Sequence, residues 1–99
     1  MNAVLKHIPY RNRKILDLAK GQDCQHCGAV DGTNGSTVAA HQNGLRAGKG
    51  TGLKSDDHRT AYLCMKCHTE YDTHKMSQED FMYAVLKTQK IWLPVLINH

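Results

Sequence analysis

Two pairs of cysteines are the clearest chemical feature of the sequence. Cys24 and Cys27 form one C-x2-C pair, and Cys64 and Cys67 form a second. This spacing lets both thiolates of a pair bind one tetrahedral ion, so the four cysteines together predict a structural zinc site. Zinc with four thiolate ligands has no open coordination position, so it would stabilise the fold and take no part in a reaction.

Three other interpretations of the cysteines are less favoured. A redox C-x-x-C motif needs only one pair, and it normally lies at a helix start in a larger α/β fold. An iron–sulfur cluster would account for the cysteines but not for the neighbouring His41 and His68. His26 lies inside the first pair, where we expect it to face solvent, and its use as a zinc ligand is the minor alternative.

A second set of candidate ligands follows the C-terminal cysteine pair. His68 comes directly after Cys67 and Asp72 four residues later, so in a helix the two side chains share a face. Cys67 would point about 100° away from His68, so one helix could serve two sites. One imidazole and one carboxylate favour manganese or magnesium over a second tightly held zinc. The alternative is a surface helix with a local hydrogen bond.

A glycine-rich, basic connection lies between these two sets of residues. All eight glycines fall between positions 21 and 52, where the backbone must turn sharply or approach a ligand closely. His41 immediately precedes the most basic part of this region. The basic side chains around the glycines either bind phosphates or are ordinary solvated charges; they are Arg46, Lys49, Lys54 and Arg59.

Secondary structure that could position these residues is indicated along the whole chain. A short basic helix is predicted to begin after Pro9 and to stop at Gly21. "GAVDGTNGS" indicates turns, whereas "TVAAH" and "RTAYLC" are rich in β-forming residues and predict two strands. The first strand ends at His41 and the second at Cys64, so each strand delivers a polar group at its C-terminal end.

The C-terminal third is predicted to be helical. Helical character begins at Cys67, and Ser77 is the expected N-cap of a further helix, with Asp80 three residues later. Pro94 is expected to end that helix. The apolar and small residues recur at helical spacing and predict a face that packs in the core; they are Phe81, Val85, Thr88, Ile91 and Trp92.

Length and charge restrict the class of protein. Ninety-nine residues suffice for one domain over 1–99 with a modest core, to which a structural metal would add stability. The net charge of +4 favours a polyanionic partner such as nucleic acid. The sequence shows neither a secretory segment nor an apolar run approaching the roughly 20 residues that span a bilayer. We therefore predict a cytoplasmic protein that does not enter a membrane, and its oligomeric state is left open.

These segments in this order resemble a family of nucleases. The order of segments looks like the HNH, or ββα-metal, endonuclease motif. It consists of a strand ending in His, a glycine-rich connection, a second strand, and "LCMKCH" with a ligand one turn later. More narrowly, "AAHQNGLRAGKGTGLKSDDHRTAYLCMKCHTEYD" is similar to a group of small prophage-encoded nucleases, the YbcO-like and Ref-like proteins. The flanking "RNRKILDLAKGQDC" and "LKTQKIWL" extend the resemblance to nearly the whole chain.

The resemblance implies a fold and a site. The fold would be small α+β, with a ββα-metal (HNH-like) motif stapled by the four-cysteine zinc and flanked by N- and C-terminal helices. His41 would be the general base, since an imidazole ordinarily changes charge near neutral pH. His68 would be a ligand of a catalytic Mg²⁺ or Mn²⁺ ion, and Asp72 occupies the position of a second ligand one helical turn later.

The chain departs from the family pattern at two positions. The middle Asn of the motif has no clear match, and Asp57, or with less support Asp56 or His58, takes its place. Many members of the family have a metal ligand directly before the first His, where this chain has Ala40. The ion would then recruit another group, such as Asp57, or bind more weakly.

The implied activity is metal-dependent hydrolysis of DNA phosphodiester bonds, by nicking or by double-strand cleavage. Phosphate contacts carry no base information, so little sequence specificity is expected. By resemblance, the protein would process or recombine phage or prophage DNA in the cytoplasm of a bacterial host cell, with a host or phage recombination protein as a second candidate partner. The alternative is a non-catalytic, zinc-stabilised module that binds DNA or a recombination protein. Ala40, which stands where many family members have a metal ligand, is the reason to retain this alternative.

Overall fold

A computed structural model describes residues 10–43 and 56–97, and it has the small α+β fold that the sequence predicts. Three helices and two strands form this part of the chain. In chain order they are α1 (Arg13–Asp17), β1 (Val38–His41), β2 (Thr60–Leu63), α2 (Met65–Asp72) and α3 (Gln78–Ile97), with a 3₁₀ turn (Asp57–Arg59) just before β2. No helix in these two ranges combines the length and the apolar composition needed to cross a bilayer.

The first helix, α1, is shorter than the sequence predicts. Asn12 caps its N-terminus by accepting a hydrogen bond from the Lys14 N–H at 3.0 Å, which satisfies one of the unpaired amides of the first turn. After Leu18 the chain continues through turns to Gly21, whose φ of 83° is a conformation that glycine adopts without strain. Ile15 is fully buried, so the helix contributes one main anchor to the core.

The two strands form an antiparallel sheet. Ala40 pairs with Ala61, and His41 pairs with Thr60, the first residue after the 3₁₀ turn. All four residues of β2 are buried, because a core cluster covers each face of the strand. Ala40 is also buried and belongs to the core, so the side chain at this position packs against apolar neighbours.

Helix α2 begins two residues earlier than predicted, because Cys64 acts as its N-cap. The Cys64 sulfur accepts a hydrogen bond from the Cys67 N–H at 3.5 Å, and the Cys64 carbonyl accepts from the His68 N–H. Cys67 and Tyr71 are the buried residues of this helix and lie one turn apart, so its inner face carries both a candidate metal ligand and a core aromatic.

Helix α3 covers the sheet with the face that the sequence predicts. Ser77 is confirmed as its cap, since the Ser77 hydroxyl accepts a hydrogen bond from the Asp80 N–H at 3.0 Å. The prediction that Pro94 ends this helix is wrong, because the helix continues to Ile97. Pro94 is exposed in the last turn, and Leu96 beyond it packs against the core, which offsets the missing proline hydrogen bond.

The core consists of two clusters on either side of β2. In the larger one, Tyr71 and Phe81 stack with their ring centroids 3.8 Å apart. In the smaller one, Tyr62 packs with Ile15 and Trp92, and the Tyr62 hydroxyl donates to the Ile15 carbonyl. Because that hydroxyl is satisfied inside the core, α1 is held to the sheet by a polar contact as well as by apolar packing.

A glycine in the turn before β1 leads to the first prediction. Gly35 has a φ of 87°, and a Cβ added there would lie 2.8 Å from the Met65 Cβ. We expect Gly35→Ala to lower the free energy of unfolding by about 2–4 kcal/mol, because left-handed strain adds to steric overlap. Gly21→Ala is the matched control, since its φ of 83° is similar and nothing lies within 4 Å of the added Cβ. If urea unfolding shows that both variants lose the same free energy of unfolding, the overlap with Met65 does not destabilise the fold.

Candidate metal centre and candidate active site

The four cysteines come together at one end of the sheet. Cys24 and Cys27 lie in the turn between α1 and β1, where the Cys24 N–H donates to the Ala29 carbonyl and closes the loop. Cys64 and Cys67 lie at the start of α2. The four sulfur atoms all lie within 4.8 Å of one another, so the predicted grouping of the cysteines is confirmed and could bind a structural metal ion.

The spacing of the sulfur atoms fits a tetrahedral ion. Four thiolates at about 2.3 Å from a zinc ion stand about 3.8 Å from one another. The Cys27 and Cys64 sulfurs, one from each pair, are 3.8 Å apart. Among the described residues, the cysteines are the only group of three or more candidate ligands, and His26 is exposed and outside it.

The backbone around Cys24 favours a thiolate. Burial acts to raise the pKa of this thiol, but hydrogen bonds from backbone N–H groups, including those of Cys27 and His26 at 3.4 Å, outweigh it and lower the pKa to about 7. Burial raises the pKa of Cys27 and of Cys67. At Cys67, the other three cysteines raise the pKa further. A divalent cation that binds these cysteines as thiolates would displace the protons that the thiols hold.

His41 and Asp57 form a second candidate site at the other end of β1. The His41 Nε2 atom lies 2.8 Å from the Asp57 Oδ1 atom, and the two side chains are 18% and 3% exposed. The strand register explains the contact, because His41 pairs with Thr60 and the 3₁₀ turn that contains Asp57 ends one residue before Thr60. A buried carboxylate therefore holds an imidazole that solvent can still reach.

The segment before α1 fixes the Asp57 carboxylate. The Asn12 N–H donates to Asp57 Oδ2 at 2.7 Å, and the Arg11 NH1 atom lies 3.5 Å from Asp57 Oδ1. The Asp57 N–H in turn donates to the Tyr10 carbonyl at 2.9 Å. Sequence reasoning missed Arg11 and Asn12 at this site, and no motif spacing indicates them, because 45 or more positions separate each from Asp57.

The two alternatives to Asp57 are occupied elsewhere. Asp56 Oδ1 accepts a hydrogen bond from the Tyr10 N–H at 2.9 Å, and the ring of His58 packs edge-on against the Tyr10 ring at a centroid distance of 5.5 Å. Asp57, the first of the three candidates to replace the middle Asn of the motif, contacts His41 directly.

His68 and Asp72 share a face of α2, as the four-residue spacing predicts. Their Nε2 and Oδ2 atoms are 3.3 Å apart, and both side chains reach solvent. Such a direct contact one helical turn apart is also what the alternative, a surface helix with a local interaction, predicts. Within the described ranges, no third candidate ligand joins the pair, and no hydrogen bond or ion pair links it to His41 or Asp57.

A polar cluster fixes the chain just after His41. The Tyr71 hydroxyl accepts from the Asn43 N–H and donates to Gln78 Oε1, both at 2.8 Å. The Gln78 amide donates back to the Asn43 side-chain oxygen at 3.1 Å. Burial raises the pKa of Tyr71, so its phenol keeps the proton that it donates. The end of β1 is thus tied to both α2 and α3.

The predicted phosphate-binding residues fall mostly beyond the described ranges. Arg46, Lys49 and Lys54 lie outside the described residues, whereas Arg59 is exposed at the end of the 3₁₀ turn. Arg59 is therefore two positions from Asp57 and accessible to a ligand. The structure brings the other predicted site residues into three groups, namely the cysteine cluster, the His41–Asp57 pair and the His68–Asp72 pair.

Comparison with known proteins finds no match to a protein-family model, to a curated protein or to a solved structure. The described residues define a small α+β protein with four clustered cysteines that could bind a structural metal ion, and with a His–Asp pair whose carboxylate is buried. The resemblance to HNH endonucleases stays a prediction.

Proposed function

We propose that the chain is a metal-dependent DNA endonuclease in which His41 is the general base and Asp57 orients it. The observation that carries this proposal is the 2.8 Å contact between His41 Nε2 and the buried Asp57 Oδ1. A carboxylate buried behind an imidazole is the arrangement that holds a catalytic histidine in one orientation and one tautomer. Asp57 would thereby take the place of the middle Asn of the HNH motif.

The hydrogen bond between His41 and Asp57 determines which ring nitrogen of His41 can act as the base. With the Nε2–H donating to the carboxylate, the Nδ1 atom of His41 is the one that can accept a proton. A water molecule gives its proton to Nδ1 as its oxygen bonds to phosphorus, and the opposite phosphorus–oxygen bond breaks as the leaving group departs. The His41 side chain is 18% exposed, so the imidazole is accessible to water.

The catalytic ion is assigned to His68 and Asp72, and it would be Mg²⁺ or Mn²⁺. An imidazole and a carboxylate 3.3 Å apart suit such an ion, and substrate phosphates and water commonly fill its remaining positions. When bound, a divalent ion offsets the negative charge on the phosphate. This open pair contrasts with the cysteine cluster, where all four ligands are thiols.

The ion assigned to the cysteine cluster is zinc, with a structural role. Cys64 and Cys67 hold the first turn of α2, and His68 is the next residue, so an ion there would fix the direction of the helix that carries the catalytic pair. Arg59 and the basic residues of the glycine-rich segment would contact DNA phosphates, which implies little sequence specificity. A role in phage or prophage DNA processing rests on the family resemblance.

The test uses supercoiled plasmid and zinc-loaded protein with Mg²⁺, with Mn²⁺ and with neither. EDTA would also remove zinc, so the sample without added ion is the cleaner negative control. We expect nicked or linear plasmid only when Mg²⁺ or Mn²⁺ is present. A folded, zinc-loaded protein that binds the plasmid without cutting it would instead identify a non-catalytic DNA-binding module, in line with the buried Ala40 at a position where the family has a ligand.

A further inference from the structure

Helix α3 carries a second apolar stripe on the side opposite to the face that packs in the core. The core face is buried through residues such as Phe81, Val85 and Trp92. The second stripe consists of four large apolar residues, which are 47% to 70% exposed: Tyr83, Leu86, Leu93 and Ile97. At 100° per residue, the two sets lie on opposite sides of the helix. A row of large apolar side chains in solvent is typical of a protein–protein contact.

The spacing along this stripe is that of a seam between two helices. Tyr83, Leu86, Lys90, Leu93 and Ile97 follow one another in steps of three, four, three and four residues. This period of 3.5 residues brings the side chains of two paired helices together along their whole contact. A single lysine within such a seam restricts how the two helices align. The stripe therefore fits another α-helix.

The charges on the same side of α3 indicate which helix that is. Two acids lie in the first turn and two lysines about two turns later, all of them exposed: Glu79, Asp80, Lys87 and Lys90. Within residues 10–43 and 56–97, no ion pair involves any of the four. A second copy of α3 lying antiparallel would place the acids of each helix beside the lysines of the other. We propose that the chain forms a twofold-symmetric dimer through this face of α3.

One antiparallel alignment satisfies the seam and the charges together. Its contacts repeat on both sides of the twofold axis and pair residues of one copy with residues of the second: Tyr83 with Leu86, Glu79 with Lys90, and Asp80 with Lys87. Each of the four exposed charges thereby meets an opposite charge. The two aromatic rings and the two leucines form the apolar centre of the contact.

Two other alignments oppose the charges. In a parallel pair each residue faces its own copy, so Lys90 would meet Lys90. An antiparallel pair shifted by one heptad, with Tyr83 against Leu93, would bring Lys87 and Lys90 of both copies together at the axis. The proposed alignment leaves Leu93 and Ile97 outside the helix–helix contact. Because the contact is small, we expect a dissociation constant between about 1 µM and about 100 µM.

Association is measured by sedimentation equilibrium of the zinc-loaded protein from about 1 µM to about 500 µM. The wild type should change from monomer to dimer over this range. Leu86→Glu should stay monomeric, because the dimer would bury two unpaired carboxylates in the seam. Val30→Glu is the matched control, since Val30 is 62% exposed and lies between α1 and β1, away from α3. It should dimerise as the wild type does.

Exchange of charges tests the alignment. Glu79→Lys or Lys90→Glu alone should raise the dissociation constant about 10-fold, because each puts two like-charged pairs into a symmetric dimer. The double variant should return to within about threefold of the wild type, since it restores both pairs with reversed sign. Lys20→Glu changes an exposed charge in the turn after α1 and should have no effect. Zinc content and the circular dichroism spectrum check that each variant is folded.

Intermolecular contacts give an answer from the wild type alone. In a mixture of isotope-labelled and unlabelled protein, filtered NOEs should link the Tyr83 ring of one copy to the Leu86 methyl groups of the other. NOEs from Tyr83 to Leu93 between copies would show the shifted alignment instead, as would a tighter dimer in Lys90→Glu. Either of these results would overturn the proposed pairing.

The proposal of a dimer fails if the wild type stays monomeric throughout, or if Leu86→Glu dimerises as Val30→Glu does. A second copy would then not cover this face, and a different protein would be its occupant. These measurements use neither DNA nor added Mg²⁺ or Mn²⁺. Their outcome is therefore independent of whether the protein cuts DNA.

Discussion

A Cys64→Ser variant is expected to lose the structural ion and most of its folded structure. Cys64 is fully buried, its sulfur lies 3.8 Å from that of Cys27, and it caps α2. Structural zinc sites contribute about 10–16 kcal/mol at pH 7 in small zinc-dependent folds. Since whole domains are stable by only about 5–15 kcal/mol, losing one of four ligands should leave little folded protein. Zinc content per chain and the circular dichroism spectrum measure the two losses.

Lys66→Ser is the matched control for that variant. Lys66 lies on α2 between the two cysteines, and its side chain is exposed, so the new serine removes no candidate ligand. This variant should keep one equivalent of zinc and the wild-type spectrum. If Cys64→Ser also kept a full equivalent of zinc with an unchanged spectrum, the cysteine cluster would not be the structural metal site.

A His41→Ala variant should cleave plasmid about 100- to 10,000-fold more slowly than the wild type, because general-base catalysis typically contributes that much. Its fold should survive. Asp57 would lose the imidazole but keep the Asn12 N–H at 2.7 Å and the Arg11 guanidinium at 3.5 Å, so its buried charge stays partnered. Nicking rates with Mg²⁺ and Mn²⁺, DNA affinity and zinc content are measured on the same preparation.

The control for this loss is His74→Asn. His74 is an exposed histidine with a φ of 63°, a left-handed conformation that Asn tolerates, so the variant removes an imidazole at little structural cost. It should cleave as the wild type does. Cleavage retained in His41→Ala, or lost equally in both variants, would show that His41 is not the base.

Several features could be predicted from the sequence because they depend on residues close together in the chain. The C-x2-C spacings indicated one four-cysteine cluster, and the sulfurs do lie together. Ser77 was identified as a cap from its local pattern, and the apolar face of α3 from its helical period. His68 and Asp72 share a face because four residues make about one helical turn.

Local patterns failed where tertiary packing opposed them. Pro94 is a helix breaker by its own geometry, yet α3 continues past it because Leu96 packs on the core. Ala40 could be recognised as a departure from the family pattern, but only the sheet shows that its side chain is buried opposite Ala61. A propensity describes one segment by itself, whereas the energy of apolar burial depends on which other segments cover it.

The candidate active site shows the same division. The sequence by itself indicates His41 at a strand end, and the resemblance to the HNH motif offers Asp57 as one of three replacements for the middle Asn. Only the tertiary structure selected Asp57, because the register that pairs His41 with Thr60 sets the 3₁₀ turn beside the imidazole. Arg11 and Asn12 joined the site in the same way, through contacts with a carboxylate 45 or more positions away. Such contacts leave no periodic signal in the chain, since they arise from how the segments pack and not from the spacing of residues within any one segment.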